Sequence, residues 1–201
     1  MRGQVVLSLV IVLIVILAAV SVVLIMTYNG IVKSEKAVEE AKAQIEAVLQ
    51  RRLDLIPNLV EIVKGYAQHE KETLIAVTKA RSDAQDILQE IGEKKSLSKE
   101  DMQVLAASQS ALAKTLKTLF ALVENYPDLK ASTNFLALQD QLEGTENRIS
   151  VNRQRYNYEV RMYNTKIATF PGIIIAPAFG FTEKASFEAK EEAQEPVRIK
   201  F

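Results

Sequence analysis

The chain has 201 residues with 25 basic and 25 acidic side chains, so its formal net charge is zero and no global field draws it to nucleic acid. It has no cysteine, which excludes disulfides, thiolate zinc sites, a cysteine nucleophile and lipid attachment at a cysteine. Tryptophan is also absent, and only 7 glycines and 5 prolines occur, a composition that suits long helices better than a turn-rich β fold.

After a short tail at residues 1–4, Val5 to Met26 reads VVLSLVIVLIVILAAVSVVLIM without a charge. As a helix this run rises roughly 33 Å, enough for a hydrocarbon core of about 30 Å. A cleaved signal peptide is the competing reading, but the run exceeds the usual apolar region of such peptides and no small-x-small cleavage pattern follows it. A single-pass transmembrane helix at 5–26 is therefore expected. Arg2 lies on one side of it and Lys33, Lys36 and Lys42 on the other, which mildly favours a cytoplasmic body.

Beyond Tyr28 the positions Ile31, Val38, Ala41, Ile45 and Val48 form one helical stripe, so the anchor is expected to run on into the first helix of the body. Pro57 lacks an amide hydrogen and biases Ile56 away from helical geometry, which predicts a bend near Leu55 to Pro57 and a first turn back of the chain there. A second stripe runs through Leu59, Ile62, Val63, Tyr66, Leu74, Val77, Ala80, Ala84, Ile87 and Ile91, with Gly92 as a left-handed terminator. Ser98 and Asp101 make a capping box for a third helix whose seam is Met102, Leu105, Gln109, Leu112, Leu116, Leu119 and Val123.

Tyr126-Pro127-Asp128 ends that helix, and Ser132 or Thr133 caps a last one with the seam Phe135, Leu138, Leu142, Thr145, Ile149, Asn152, Tyr156, Val160, Tyr163, Ile167 and Phe170. The expected fold is all-α, an N-terminal transmembrane helix followed by a long-helix up-and-down four-helix bundle over 28–188. An extended coiled coil within an oligomer is the alternative packing. From residue 172 an apolar extended segment is expected to lie on the bundle, and 189–201 reads as a flexible polar tail.

The strings QRRLDLIPNLVEIVKGYAQHE from Gln50, YPDLKAS from Tyr126 and NFLALQDQLEGTENRI from Asn134, with later YN, YN, FP and GF elements, resemble the LemA family in the right order over 28–188. The resemblance implies an N-terminal membrane segment and a four-helix bundle, and it brings no catalytic residues, because the family has no established activity. Lys42 stands where relatives often carry tryptophan. Some relatives place a lipoprotein signal before the same Tyr-Asn pair, which implies a body outside the cytoplasm, and this is the expected side.

No catalytic, cofactor or metal set is assembled by the sequence. His69 is the only histidine and lacks the second histidine of a helical zinc-protease motif, while Tyr66 occupies the position where a di-iron bundle needs glutamate. No Gly-x-Ser-x-Gly elbow or phosphate-binding glycine loop occurs. Thr145, Asn152, Tyr156 and Tyr163 lie on the last apolar stripe with Asn157 and Asn164 beside it; they either bond across the bundle and fix its register or form a groove for a peptide. Arg51, Arg52 and Asp54 beside Pro57 make either a solvated ion pair or a docking point. Arg148, Arg153, Arg155 and Arg161 read as a solvated basic face, or as a contact for anionic lipid.

The function expected is a membrane-anchored helical scaffold or adaptor that binds protein partners and extends to self-association, with no cofactor and no nucleic acid. The rivals are an enzyme with a site near His69 or the Tyr and Asn row, and a structural envelope component.

Overall fold

The computed structural model describes residues 2–187 and is helical throughout its regular parts, with no strand among the described residues. In chain order the helices are α1 (Arg2–Tyr66), α2 (Lys71–Glu93), α3 (Lys99–Val123), α4 (Pro127–Lys130), α5 (Thr133–Ala168) and α6 (Gly172–Ala178). The tail expected at 189–201 lies outside the described residues. The chain divides into two compact units. One holds the described residues up to Glu40 with Glu159–Lys184, and the other holds Ala41–Tyr158 with the described residues from Ala185 on.

In the first unit, α1 exposes its apolar run to the surroundings: Ile11, Leu13, Ile16 and Leu24 are all largely exposed. It is the one helix among the described residues long and apolar enough to cross a membrane. Ser21 and Thr27 turn their hydroxyls back to carbonyls four residues earlier, so neither leaves a bare polar group on that surface.

The second unit departs from expectation at Pro57. The helix does not bend back there; α1 continues through the proline to Tyr66, and the chain reverses at residues 67–70. Proline deprives the Leu53 carbonyl of its helical donor, and that carbonyl instead accepts from Arg81 Nε on α2 at 2.9 Å. The reversal itself uses the Ala67 amide on Val63 O and the Glu70 amide on Ala67 O. The single helix expected from Leu59 to Ile91 is therefore two.

Gly92 is not left-handed either, since among the described residues Gly180 alone has a positive φ. The carbonyls at the end of α2 are met by Lys42 Nζ, at 3.4 Å from Gly92 O and 2.8 Å from Lys94 O. A cation at a helix C-terminus also opposes the negative end of its dipole. Lys42 thus caps a neighbouring helix of the same unit.

α2 packs on α3. All seven expected seam positions of α3 are buried, and the capping box is present in both directions, from the Asp101 amide to Ser98 Oγ and from the Ser98 amide to Asp101 Oδ2. In α1 the buried stripe runs Ala41, Ile45, Leu49, Leu53, Ile56, Leu59 and Val63, with Leu49 rather than Val48 at the seam. In α5, Phe135, Leu142, Thr145, Ile149 and Tyr156 are buried in this unit, and Phe135 meets Phe120 of α3 edge-on at 6.1 Å. Gln109 is buried in the α3 seam, and its amide has no hydrogen-bond partner among the described residues.

The cap of α3 carries a pH signature. Asp101 is held below the usual carboxylate range, first by Lys94 Nζ at 2.7 Å and then by the Ser98 amide, while Lys94 is pushed up to about 12 by Asp101 and then Glu90. A lowered carboxyl pKa stabilises the fold above the unfolded value of about 4 and the benefit disappears as pH falls through the folded value; the raised lysine holds until pH climbs toward 12. The stability difference between the parent and Asp101→Asn should therefore be constant from about pH 5 to 9 and close as pH is lowered to about 2. Urea titrations at a series of pH values measure it, and a gap that persists at the acid end would refute the assignment.

Candidate functional site

At the junction of α1 and α2, residues of both helices and of the turn at 67–70 line a cleft of about 1050 Å³. Its apolar lining is Val60, Leu74 and Ile75, with Gly65 adding no side chain, and its rim carries Lys64, His69, Lys71 and Lys79. Leu74 is buried, whereas Ile75 is 66% exposed. Lys64 is balanced by Glu61 at 3.4 Å. Lys71 and Lys79 are exposed and have no carboxylate partner among the described residues, so the rim is net positive.

His69, expected on a helix, is exposed in the turn. Among the described residues no group of three or more His, Cys, Asp or Glu side chains is placed to hold a metal ion. The turn is tied to the start of α4, where Tyr126 donates its hydroxyl to Glu70 Oε1 at 2.9 Å and Pro127 opens the single-turn helix that buries Leu129.

The polar row of α5 divides by position. Thr145 and Asn152 do not bond across to another helix; each bonds back to its own, Thr145 Oγ1 to Gln141 O at 2.7 Å and Asn152 Nδ2 to Arg148 O at 2.8 Å. A carbonyl four residues earlier lies within reach of each, and that local bond competes well with any partner on a neighbouring helix.

In the second unit, Asn157 forms a two-pronged pair with the backbone of Phe187, donating to its carbonyl at 2.9 Å and accepting from its amide at 2.8 Å. Tyr156 donates to Ala185 O at 3.0 Å and packs edge-on against Phe187. In the first unit, Asn164 repeats the same pairing with Lys184, at 2.9 and 3.0 Å.

An asparagine amide copies a peptide group, so these side chains read backbone rather than sequence, and what they read is this chain's own C-terminal segment. The segment expected extended from 172 begins as α6 and becomes irregular only from Phe181. Burial, then Glu46, pushes the Tyr156 phenol up to about 12. Tyr163 is likewise pushed up to about 12, by burial and then Glu35; it is fully buried, and its hydroxyl lies near the Thr182 amide without hydrogen-bonding geometry.

The three polar residues beside Pro57 do not converge. Arg51 is exposed, Asp54 accepts from Gln50 at 2.8 Å, and Arg52 is only 6% exposed, bridging to Glu146 of α5 at 3.0 Å. Burial pulls the Arg52 guanidinium below its ordinary range; Glu146 opposes this and nearby Arg153 adds to it. Arg153 is not part of a solvated basic face, since its guanidinium lies over the Phe187 ring at 5.2 Å. Arg52 and the Leu53 carbonyl thus belong to a junction of α1, α2 and α5, while Arg51, Asp54 and Pro57 remain exposed.

The cleft residues Lys71, Ile75 and Lys79 do not stand out in the sequence. The signal that marks them is the gap in the apolar stripe between Tyr66 and Leu74, where QHEKE interrupts the period.

The family profile described as LemA family matches residues 41–201. Protein LemA of Metamycoplasma hominis is 26% identical over 163 residues, 81% of this chain and 69% of that protein. Magnetosome protein MamQ of Magnetospirillum gryphiswaldense is 24% identical over 195 residues, 90% of this chain and 72% of that protein. Magnetosome protein MamQ 2 of Paramagnetospirillum magneticum is 24% identical over 190 residues, covering 87% of this chain and 69% of its own length.

Proposed function

The chain belongs to the LemA family, and from that premise we propose that it is a membrane-anchored helical scaffold whose α1–α2 cleft receives a protein partner. The observation that carries this reading is the cleft itself: an apolar floor with exposed Ile75, under a rim that holds two uncompensated lysines. Such a surface fits an amphipathic helix with an acidic edge, the apolar side chains giving affinity and the lysines register and on-rate. The residues best placed for chemistry point the same way, because Tyr156, Asn157 and Asn164 are already engaged by the chain's own backbone.

In this proposal the apolar run of α1 is the single membrane span, the body stands outside the cytoplasm, and the second unit's parts of α1, α2, α3 and α5 are the four staves of an up-and-down bundle. Their buried stripes and short connections support it. The magnetosome names of two relatives fit attachment to a cellular structure better than turnover of a small molecule. Self-association through the same cleft would be one form of partner binding.

A photo-reactive phenylalanine at Ile75, in the full chain in its native membrane, should give discrete adducts. Reversing the rim with Lys71→Glu and Lys79→Glu should cut their yield about tenfold, the effect of turning two rim contacts of up to about 1 kcal/mol repulsive. A folded protein that gives no adduct at Ile75 would remove the reading. A catalytic turnover abolished by His69→Ala would replace it with an enzymatic one.

A further inference from the structure

From Phe170 to Phe181 the sequence FPGIIIAPAFGF has no charged or hydrogen-bonding side chain. Helix α6 lies inside this stretch and is apolar on every face. It turns Gly172, Ile175 and Ala176 inward, leaving Ile173 56% and Ile174 64% exposed, flanked by Phe170 at 78% and Phe179 at 63%. A surface helix in water carries polar side chains on its outward face; one that is apolar all round is covered by protein or by lipid.

The position of α6 in its own unit says which. Phe179 and Phe181 pack against Tyr28 with tilted rings, their centroids 4.8 and 5.8 Å away, and Tyr28 follows closely on Met26, where the apolar run of α1 ends. At the other end of α6, Phe170, Pro171 and Gly172 line one shallow pocket with Met26, Thr27 and Gly30. Lys166 Nζ fastens this end, at 2.9 Å from Gly30 O.

The C-terminal end is closed by a Schellman turn, in which the Phe181 amide donates to Ala176 O, the Gly180 amide to Pro177 O, and Gly180 takes φ 75°. Both ends of α6 are thus held at the level of α1 where its apolar surface stops. For a spanning helix that level is the headgroup boundary, the region where aromatic side chains concentrate.

We propose that α6 and its flanking phenylalanines form a second, monotopic membrane contact, lying in the headgroup–acyl boundary of the bilayer that α1 crosses. The exposed face of α6 continues the exposed apolar surface of α1 rather than facing water, and an interfacial helix of this kind fixes the rotation of the anchor about its own axis. The inference rests on the reading of α1 as the membrane anchor.

The absence of tryptophan makes the test direct. Ile174→Trp, Phe170→Trp, Leu17→Trp and Ile75→Trp are each made in the full chain, reconstituted into phosphatidylcholine–phosphatidylglycerol vesicles, and read with lipids brominated near the headgroup or near the acyl terminus. The Ile174→Trp and Phe170→Trp proteins should show blue-shifted emission, quenched several-fold more by the shallow bromines. Leu17→Trp should respond to the deep bromines and Ile75→Trp to neither. An unquenched Ile174→Trp and Phe170→Trp pair beside a quenched Leu17→Trp overturns the α6 contact and leaves the anchor standing. Blue-shifted emission that no bromine reaches overturns it in favour of a protein cover, such as a second copy. An unquenched Leu17→Trp defeats the anchor reading and this inference with it.

Discussion

An Arg81→Ala protein should be about 1–3 kcal/mol less stable than its parent, because the substitution strands a carbonyl that no backbone donor can reach. The carbonyl belongs to Leu53, whose side chain is fully buried, and its helical donor is missing because residue 57 is proline. For a domain of this size the loss corresponds to about 2–4 °C in Tm for each kcal/mol. What makes the effect diagnostic is its dependence on Pro57. Pro57→Ala restores an amide at the position from which a helix satisfies Leu53 O, so in that background the arginine is needed for little beyond the packing of its stem.

The double-mutant cycle should accordingly show a coupling of about 1–2 kcal/mol, with Arg81→Ala nearly harmless once the proline is gone. Thermal unfolding followed by circular dichroism in micelles measures all four corners. Strict additivity would mean that Arg81 does not compensate the proline. Gln50 and Gln85, which join the same two helices by reciprocal bonds of 3.1 and 3.0 Å, stay untouched in every variant and keep α1 and α2 in register.

The same residues show where sequence reasoning stops. α3 is legible throughout because everything that defines it is local: Ser98 and Asp101 are three residues apart, and Met102 to Val123 repeat at a fixed period. Pro57 misleads for the complementary reason. Its usual effect is local, but the arginine that compensates it lies 28 residues away and only the fold brings it near. The true reversal at 67–70 contains no glycine or proline, and the sequence marks the cleft there only through the QHEKE gap in the apolar stripe and Gly65 just ahead of it.

The period of the α5 row puts its residues on one helix and says nothing of their partners. Nothing in the spacing of Asn157 and Asn164 distinguishes a neighbouring helix from the backbone of Phe187 and Lys184. Arg52 shows the limit for charge: close to Arg51 and Asp54 in sequence it reads as solvated, and only the fold buries it, where it pairs with Glu146.

Among the described glycines Gly172→Ala should be the most damaging alanine substitution, at about 1–3 kcal/mol or more. A β-carbon on Gly172 would stand 2.0 Å from the Lys166 carbonyl oxygen and 3.1 Å from its carbon. Those atoms are backbone of α5, and Lys166 is itself anchored through its ammonium to Gly30 O and Ser34 Oγ, so nothing flexible can give way. The chain must instead lift α6 off α5, which pulls Ile175 and Ala176 out of their buried positions.

Gly144→Ala is the matching control. Gly144 lies within α5, and a β-carbon there would meet nothing within 4 Å, so alanine should stabilise by about 0.5–1 kcal/mol through helix propensity alone. The two substitutions add the same methyl group and should move Tm in opposite directions. Hydrogen exchange localises the damage: Gly172→Ala should speed exchange at the Phe179 and Phe181 amides, which close the end of α6, while the amides of α3 keep the protection of the parent. Uniform acceleration in both places would show that the contact between Gly172 and Lys166 supports the whole chain rather than the seating of α6, and unchanged stability would show that the close approach is not maintained in solution.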